Sequence, residues 1–143
     1  MIDPLLNKIL RQPLALVAKP LVRFGIDADQ VTIVGFFLGI LAVPAIVAEQ
    51  FNLALALILL NRLSDGLDGA VARQTYTTDA GGFLDISLDF IFYSAIVLAF
   101  IVSHPEQNAV AGSLLMLSFT ATGSCFLAFA IMASKHNIDN PQY

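Results

Sequence analysis

Four apolar runs, at about 31–48, 51–73, 81–103 and 108–134, constrain this chain more than any other feature, and two of them carry acids within them. Crossing the hydrocarbon core of a bilayer takes roughly 20 apolar residues in a helix, and each run approaches or exceeds that length. In lipid the backbone must satisfy its own N–H and C=O groups within the segment. The predicted fold is therefore all-α: a polytopic transmembrane helical bundle of four spanning helices, with residues 1–143 forming a single membrane domain. Charged residues make up 13% of the chain, against about 25% in soluble domains. That excludes a nucleic-acid-binding module, a disordered acidic tail and an ordinary water-soluble enzyme. The net charge of −4 says little about partners, because acids and bases are segregated along the chain, and the single Cys125 excludes a disulfide framework.

The breaks between runs are short and chemically marked. Glu49, Gln50 and Asn52 separate the first two, and Thr77, Thr78 and Asp79 supply helix-capping chemistry ahead of the third, Asp79 being read as a cap rather than a ligand. Pro105 opens the fourth, and the chain closes on a polar end at residues 137–143. Residues 1–24 differ: Leu5, Leu6, Ile9 and Leu10 recur at helical spacing around Lys8 and Arg11, while Pro13 and Pro20 interrupt the pattern. This predicts an N-terminal interfacial amphipathic segment in two short pieces. All 7 basic residues (Lys8, Arg11, Lys19, Arg23, Arg62, Arg73 and Lys135) assign to one side of the bundle. By the positive-inside rule that side is cytoplasmic. The expectation is an integral protein of the cell inner membrane, with its N-terminus and the turn from Arg73 to Gly81 inside.

Ionisable side chains within spanning helices are costly, which marks them as functional. Asp65 and Asp68 are three apart at the end of the second run, and Asp85 and Asp89 are four apart near the start of the third. Either spacing places both members on one helix face. A short turn makes the two helices antiparallel neighbours, so the pairs converge at similar depth. Gly69, Ala72 and Arg73 share the face of Asp65, and Gly81 lies on the stripe of Asp85 and Asp89. Small residues there let a bulky ligand or another backbone come close. Four neighbouring carboxylates need neutralising, and Arg62 and Arg73 are too few. An all-oxygen ligand set suits Mg²⁺, Mn²⁺ or Ca²⁺ rather than zinc, and two such ions bridged by carboxylates serve phosphoryl transfer. A cluster serving packing alone is the weaker reading, since Ser or Asn would do that at lower cost.

The pattern Asp65, Asp68, Gly69, Ala72, Arg73, then Gly81, Asp85 and Asp89, resembles the signature of the CDP-alcohol phosphotransferases, D-x-x-D-G-x-x-A-R followed by G-x-x-x-D-x-x-x-D. Every fixed position is matched. The resemblance implies transfer of a substituted phosphate, foremost a phosphatidyl group from CDP-diacylglycerol, to a hydroxyl acceptor with release of CMP in phospholipid synthesis. By position, Asp65, Asp68, Asp85 and Asp89 would hold divalent metal, two ions of Mg²⁺ or Mn²⁺, and Asp89 would also take the acceptor proton. Gly69 and Ala72 would seat the nucleotide and Arg73 would contact phosphate, with Gly81 and Thr32 also at the substrate. A homodimer is implied by resemblance only.

Two departures stand out. Seven residues separate Arg73 from Gly81 where the family usually has eight, and members typically have six spanning helices where four are counted here. The chain thus reads as about two-thirds of a usual member, cut short after the fourth helix. Around residues 28–32, Ala28 and Asp29 replace the Pro and Asn of the family's entry to the first span, and Asp29 either caps that span or faces the nucleotide with Thr32. Gly35 and Gly39 form a G-x-x-x-G pattern read mainly as close helix packing. Three other functions remain open on the sequence: CDP-aminoalcohol transfer to diacylglycerol, an inactive nucleotide- or metal-binding short form, and a cation or proton transporter using the intramembrane acids.

Overall fold

The computed structural model describes the backbone of residues 3–136 and the side chains of residues 12–136. Six helices follow in order: α1 (Asp3–Arg23), α2 (Ala28–Ile40), α3 (Ala42–Val47), α4 (Phe51–Ala72), α5 (Asp79–Ser103) and α6 (Pro105–Lys135). No strand occurs among the described residues, so the chain is all-helical as expected.

The first apolar run is bent rather than continuous. Pro44 has no N–H to offer the carbonyl four residues back, and its ring crowds that position. The helix accordingly breaks at Leu41, giving α2 and the six-residue α3. Together they form one stretch, Ala28–Val47, long and apolar enough to cross a membrane; α5 and α6 are the other two. Three elements meet that description rather than the four expected. α4 has 22 residues but carries Arg62, Asp65 and Asp68 in its second half.

The N-terminal segment corrects the two-piece expectation. α1 is one helix with Pro13 and Pro20 inside it. A proline forfeits a single backbone bond, and packing of the same helix against α4 offsets that loss. Ala18 of α1 is buried with Ala70 and Val71 of α4, flanked by Leu14, Leu21 and Val22. Gln74, just past α4, donates from its side chain to the Ala15 carbonyl at 3.0 Å. Gly25, at φ +75°, then takes the left-handed turn that ends α1. The side chains of Leu5, Leu6, Ile9 and Leu10, on which the amphipathic pattern rests, lie outside the described residues, as does the polar end at 137–143.

The α2–α3 rod is the centre of the bundle. It packs against both α4 and α5, whereas α4 and α5 make little direct backbone contact with each other. The sequence expectation of α4 and α5 as close neighbours is therefore corrected: α2 and α3 wedge them apart. α2 fits so tightly on α4 because Gly35 and Gly39 leave room for Ser64 and Asn61, and Asn61 donates to the Gly35 carbonyl at 3.0 Å. At the far end Ala42, Ala45, Ile46, Ala54 and Ala99 form a second small-residue core joining α3, α4 and α5. α6 runs back along α5 after a turn at His104 and Pro105.

Local chemistry sets the helix starts around the site. α5 is capped by Thr78, whose hydroxyl accepts from the Gly81 N–H at 2.9 Å, and Asp79 is a first-turn acid instead of the cap. α2 starts at Asp27, whose N–H donates to the Gln30 side chain at 3.3 Å, so Asp29 is not the cap either. Thr78→Ala should cost about 1 kcal/mol. The check is amide hydrogen exchange, which should accelerate selectively at residues 79–82.

Candidate active site

The wedge between α4 and α5 opens a cleft at the end of the bundle that carries the α4–α5 turn. Its volume is about 1110 Å³. α4 contributes Asp65, Asp68, Gly69 and Ala72, the turn contributes Arg73, and α5 contributes Gly81 and Asp85. Thr32 of α2 and Arg62 of α4 also reach it. Beneath lies a niche of about 10 Å³, lined by Asp65, Asp68, Asp85 and Asp89 together with Thr32 and Asn61. That is room for about one water-sized sphere. All four predicted acids thus face a common space, Asp89 in the niche alone and the other three in both.

Three of the four acids have identified polar partners. Asp68 is buried and engaged through both oxygens: Thr32 donates its hydroxyl to Oδ2 at 2.6 Å, and the Gly69 N–H donates to Oδ1 at 2.6 Å. Asp89 is gripped by Arg62, with Nη2 2.7 Å from Oδ1 and Nη1 3.5 Å from Oδ2. The Tyr93 hydroxyl donates to the same Oδ2 at 3.1 Å. Asp65 lies 3.8 Å from Arg62 Nη1. Arg62 itself is steadied by Asn61, whose Oδ1 accepts from Nε at 3.0 Å and from Nη2 at 2.6 Å, by a short contact to the Tyr93 hydroxyl, and by the faces of Phe92 and Tyr93.

As arranged, no three His, Cys, Asp or Glu side chains among the described residues stand close enough together to hold one metal ion. The donor chemistry nevertheless fits a hard divalent cation, since four carboxylates and a hydroxyl border the niche without a sulfur or imidazole. The small residues are in use as well. A Cβ on Gly69 would meet Arg73 Nη1 at 3.2 Å, so Arg73 folds back over α4 there; one on Gly81 would meet Asp29 Oδ1 at 2.7 Å, bringing α2 to α5.

The sequence reading missed Asn61, Tyr93 and the direction of Arg62. The signals were present: Arg62 is three before Asp65 and Tyr93 four after Asp89, on the same faces as the acids.

A family model described as CDP-alcohol phosphatidyltransferase matches residues 26–142. The chain belongs to that family. As a CDP-alcohol phosphatidyltransferase family member it is 52% identical, over 99% of its length, to the Escherichia coli inner membrane protein YnjF, and spans 67% of that protein. It is 35% identical to the archaetidylinositol phosphate synthase of Pyrococcus horikoshii over 65% of this chain and 52% of that protein. A second archaetidylinositol phosphate synthase, from Methanothermobacter thermautotrophicus, is 34% identical over 53% of this chain and 40% of its own length. No solved structure matches the chain. Family membership agrees with the signature at Asp65–Arg73 and Gly81–Asp89, and the apolar spans make this an integral membrane protein.

Proposed function

We propose that the chain transfers a phosphatidyl group from CDP-diacylglycerol to a hydroxyl acceptor, releasing CMP. One observation supports this reading: four carboxylates from two helices border a single niche next to a wide cleft that shares three of them. The acceptor oxygen attacks the lipid-side phosphorus, the phosphorus–oxygen bond to CMP breaks, and CMP leaves with the bridging oxygen. Asp89, the last acid of the signature, takes the acceptor proton; it borders the niche with the other three. Asp65, Asp68, Asp85 and Asp89 would hold the divalent ions, two of Mg²⁺ or Mn²⁺. Bound there, these ions supply charge neutralisation for the diphosphate and the departing CMP. Thr32 fixes the orientation of Asp68, Gly69, Ala72 and Gly81 keep the cleft floor low for the nucleotide, and Arg73 meets phosphate from the rim.

The membrane setting follows from the same residues. α4 serves as a fourth span: 22 residues rise roughly 33 Å, about the thickness of a hydrocarbon core. Its charged half then lies at the cleft, shielded by α2 and α1. Arg62 and Arg73 line the cleft, and with Lys19 and Arg23 before α2 they support, by the positive-inside rule, a cytoplasmic cleft with α1 at the inner interface of the cell inner membrane. The protein works with membrane lipids around it, and the family resemblance is what supports a homodimer.

The test is CMP release by the purified chain in lipid vesicles, from CDP-diacylglycerol and a panel of polyols with and without phosphate. Release should need Mg²⁺ or Mn²⁺ and stop with a chelator. Cytidine nucleotide binding without CMP release from any acceptor, or a cation flux indifferent to nucleotide, overturns the proposal.

A further inference from the structure

We infer that Arg62 is a positioning residue that competes with divalent cations for Asp89, so that an ion can engage this carboxylate only as the guanidinium lets go. The inference rests on the metal-dependent transfer proposed above and concerns a residue outside the signature that suggested it.

The geometry is specific. Arg62 on α4 and Asp89 on α5 face each other across the gap that α2 and α3 hold open, and their side chains form a charged bridge between the two helices. Both Asp89 oxygens are engaged, one by Arg62 Nη2 at 2.7 Å and the other by Tyr93 at 3.1 Å with Arg62 Nη1 at 3.5 Å. The side chains are 29% and 28% exposed, shielded enough for the pair to outlast ordinary salt screening. Asn61 aims the fork through two hydrogen bonds, and Asn61 is itself buried and tied to the Gly35 carbonyl.

A guanidinium keeps its charge at any accessible pH. An arriving divalent ion therefore meets a fixed positive charge on the carboxylate it needs. The two cations exclude one another, and the loser must move. Arg62 has somewhere to go: it already borders the open cleft, where a diphosphate would offer it a new bidentate partner. Loading Asp89 with an ion and presenting Arg62 to the nucleotide are then one event.

The experiment is Mn²⁺ titration of the purified full chain in nanodiscs, read by the electron paramagnetic resonance signal of free Mn²⁺, with unfolding temperature followed in parallel. Arg62→Gln should bind Mn²⁺ about tenfold more tightly, the scale on which losing a charge-assisted hydrogen bond moves an equilibrium constant. Its unfolding temperature should fall in chelator and recover at saturating Mn²⁺. A purely structural Arg62 predicts the opposite, weaker Mn²⁺ binding and a deficit that metal does not repair. Tyr93→Phe removes one hydrogen bond to Asp89 and loosens Arg62 while keeping every charge, so a smaller tightening is expected there even if Arg62→Gln does not fold. Unchanged or weaker Mn²⁺ affinity in whichever variants fold overturns the inference and leaves the transferase reading standing. A wild-type chain that binds no Mn²⁺ overturns both.

Discussion

Asp89→Asn should lower CMP release by roughly 100- to 10,000-fold, the range associated with losing a positioned general base. The substitution changes almost no volume, so the niche and the α4–α5 gap keep their shape. What changes is the charge of the group: an amide does not accept the acceptor's proton at neutral pH, and it holds a divalent ion less well than a carboxylate, a loss that saturating Mn²⁺ offsets. The amide also turns a donor toward Arg62, whose Nη2 now sits 2.7 Å from a carboxylate oxygen. Arg62 then retains Asp65, 3.8 Å away, as its acidic partner. Two measurements separate the causes. CMP release at saturating CDP-diacylglycerol and Mn²⁺ reads the chemistry, and cytidine nucleotide binding reads whether the cleft survives. The expected outcome is lost turnover with nucleotide binding retained. Turnover above a tenth of wild type would remove Asp89 from the proton's path.

Much of the fold and of the site was legible because short-range rules govern it. Apolar run lengths located the three elements long and apolar enough to cross a membrane, and spacings of three and four put Asp65 with Asp68 and Asp85 with Asp89. Their shared niche is a consequence of those two faces meeting. What escaped is what tertiary packing decides. Nothing in the spacing of α4 and α5 reveals that α2 and α3 stand between them; that depends on Gly35 and Gly39 fitting over Ser64 and Asn61, contacts 22 to 29 residues apart in sequence. Counting Arg62 as one cation among too few overlooked that it points at a single acid on another helix. The caps were only narrowed, since Asp27, Asp29, Thr78 and Asp79 offer similar side chains: Thr78 stood among three candidates ahead of α5, and Asp29 was named where Asp27 starts α2. Gln30, three after Asp27, and Gly81, three after Thr78, were the discriminating partners. Pro44 was a breaker in plain view inside a run read as uniform. The prolines of α1 show the converse, because packing on α4 carries that helix past Pro13 and Pro20.

Gly35→Ala should therefore damage the protein far beyond what one methyl group suggests. A Cβ at this position collides with the Cβ of Ser64, and the Ser64 Cα stands only 3.8 Å away. These atoms belong to α4 itself or are fixed to it, so no rotamer change makes room and the helices must part. Overpacking of this kind costs roughly 1–3 kcal/mol. The displacement also acts on function, because the Gly35 carbonyl holds Asn61 at 3.0 Å and Thr32, one turn earlier on α2, holds Asp68 at 2.6 Å. Moving α2 away by even a few tenths of an ångström stretches both bonds, releasing the residue that aims Arg62 and the hydroxyl that orients Asp68. The expected result is a lower unfolding temperature together with CMP release depressed more than nucleotide binding. Ser64→Gly in the same chain supplies the compensation: it removes the colliding atom from the other side and should restore most of the lost stability. If the single variant unfolds like wild type, or the double variant gains nothing over it, the close α2–α4 contact is not what sets the geometry of the acids.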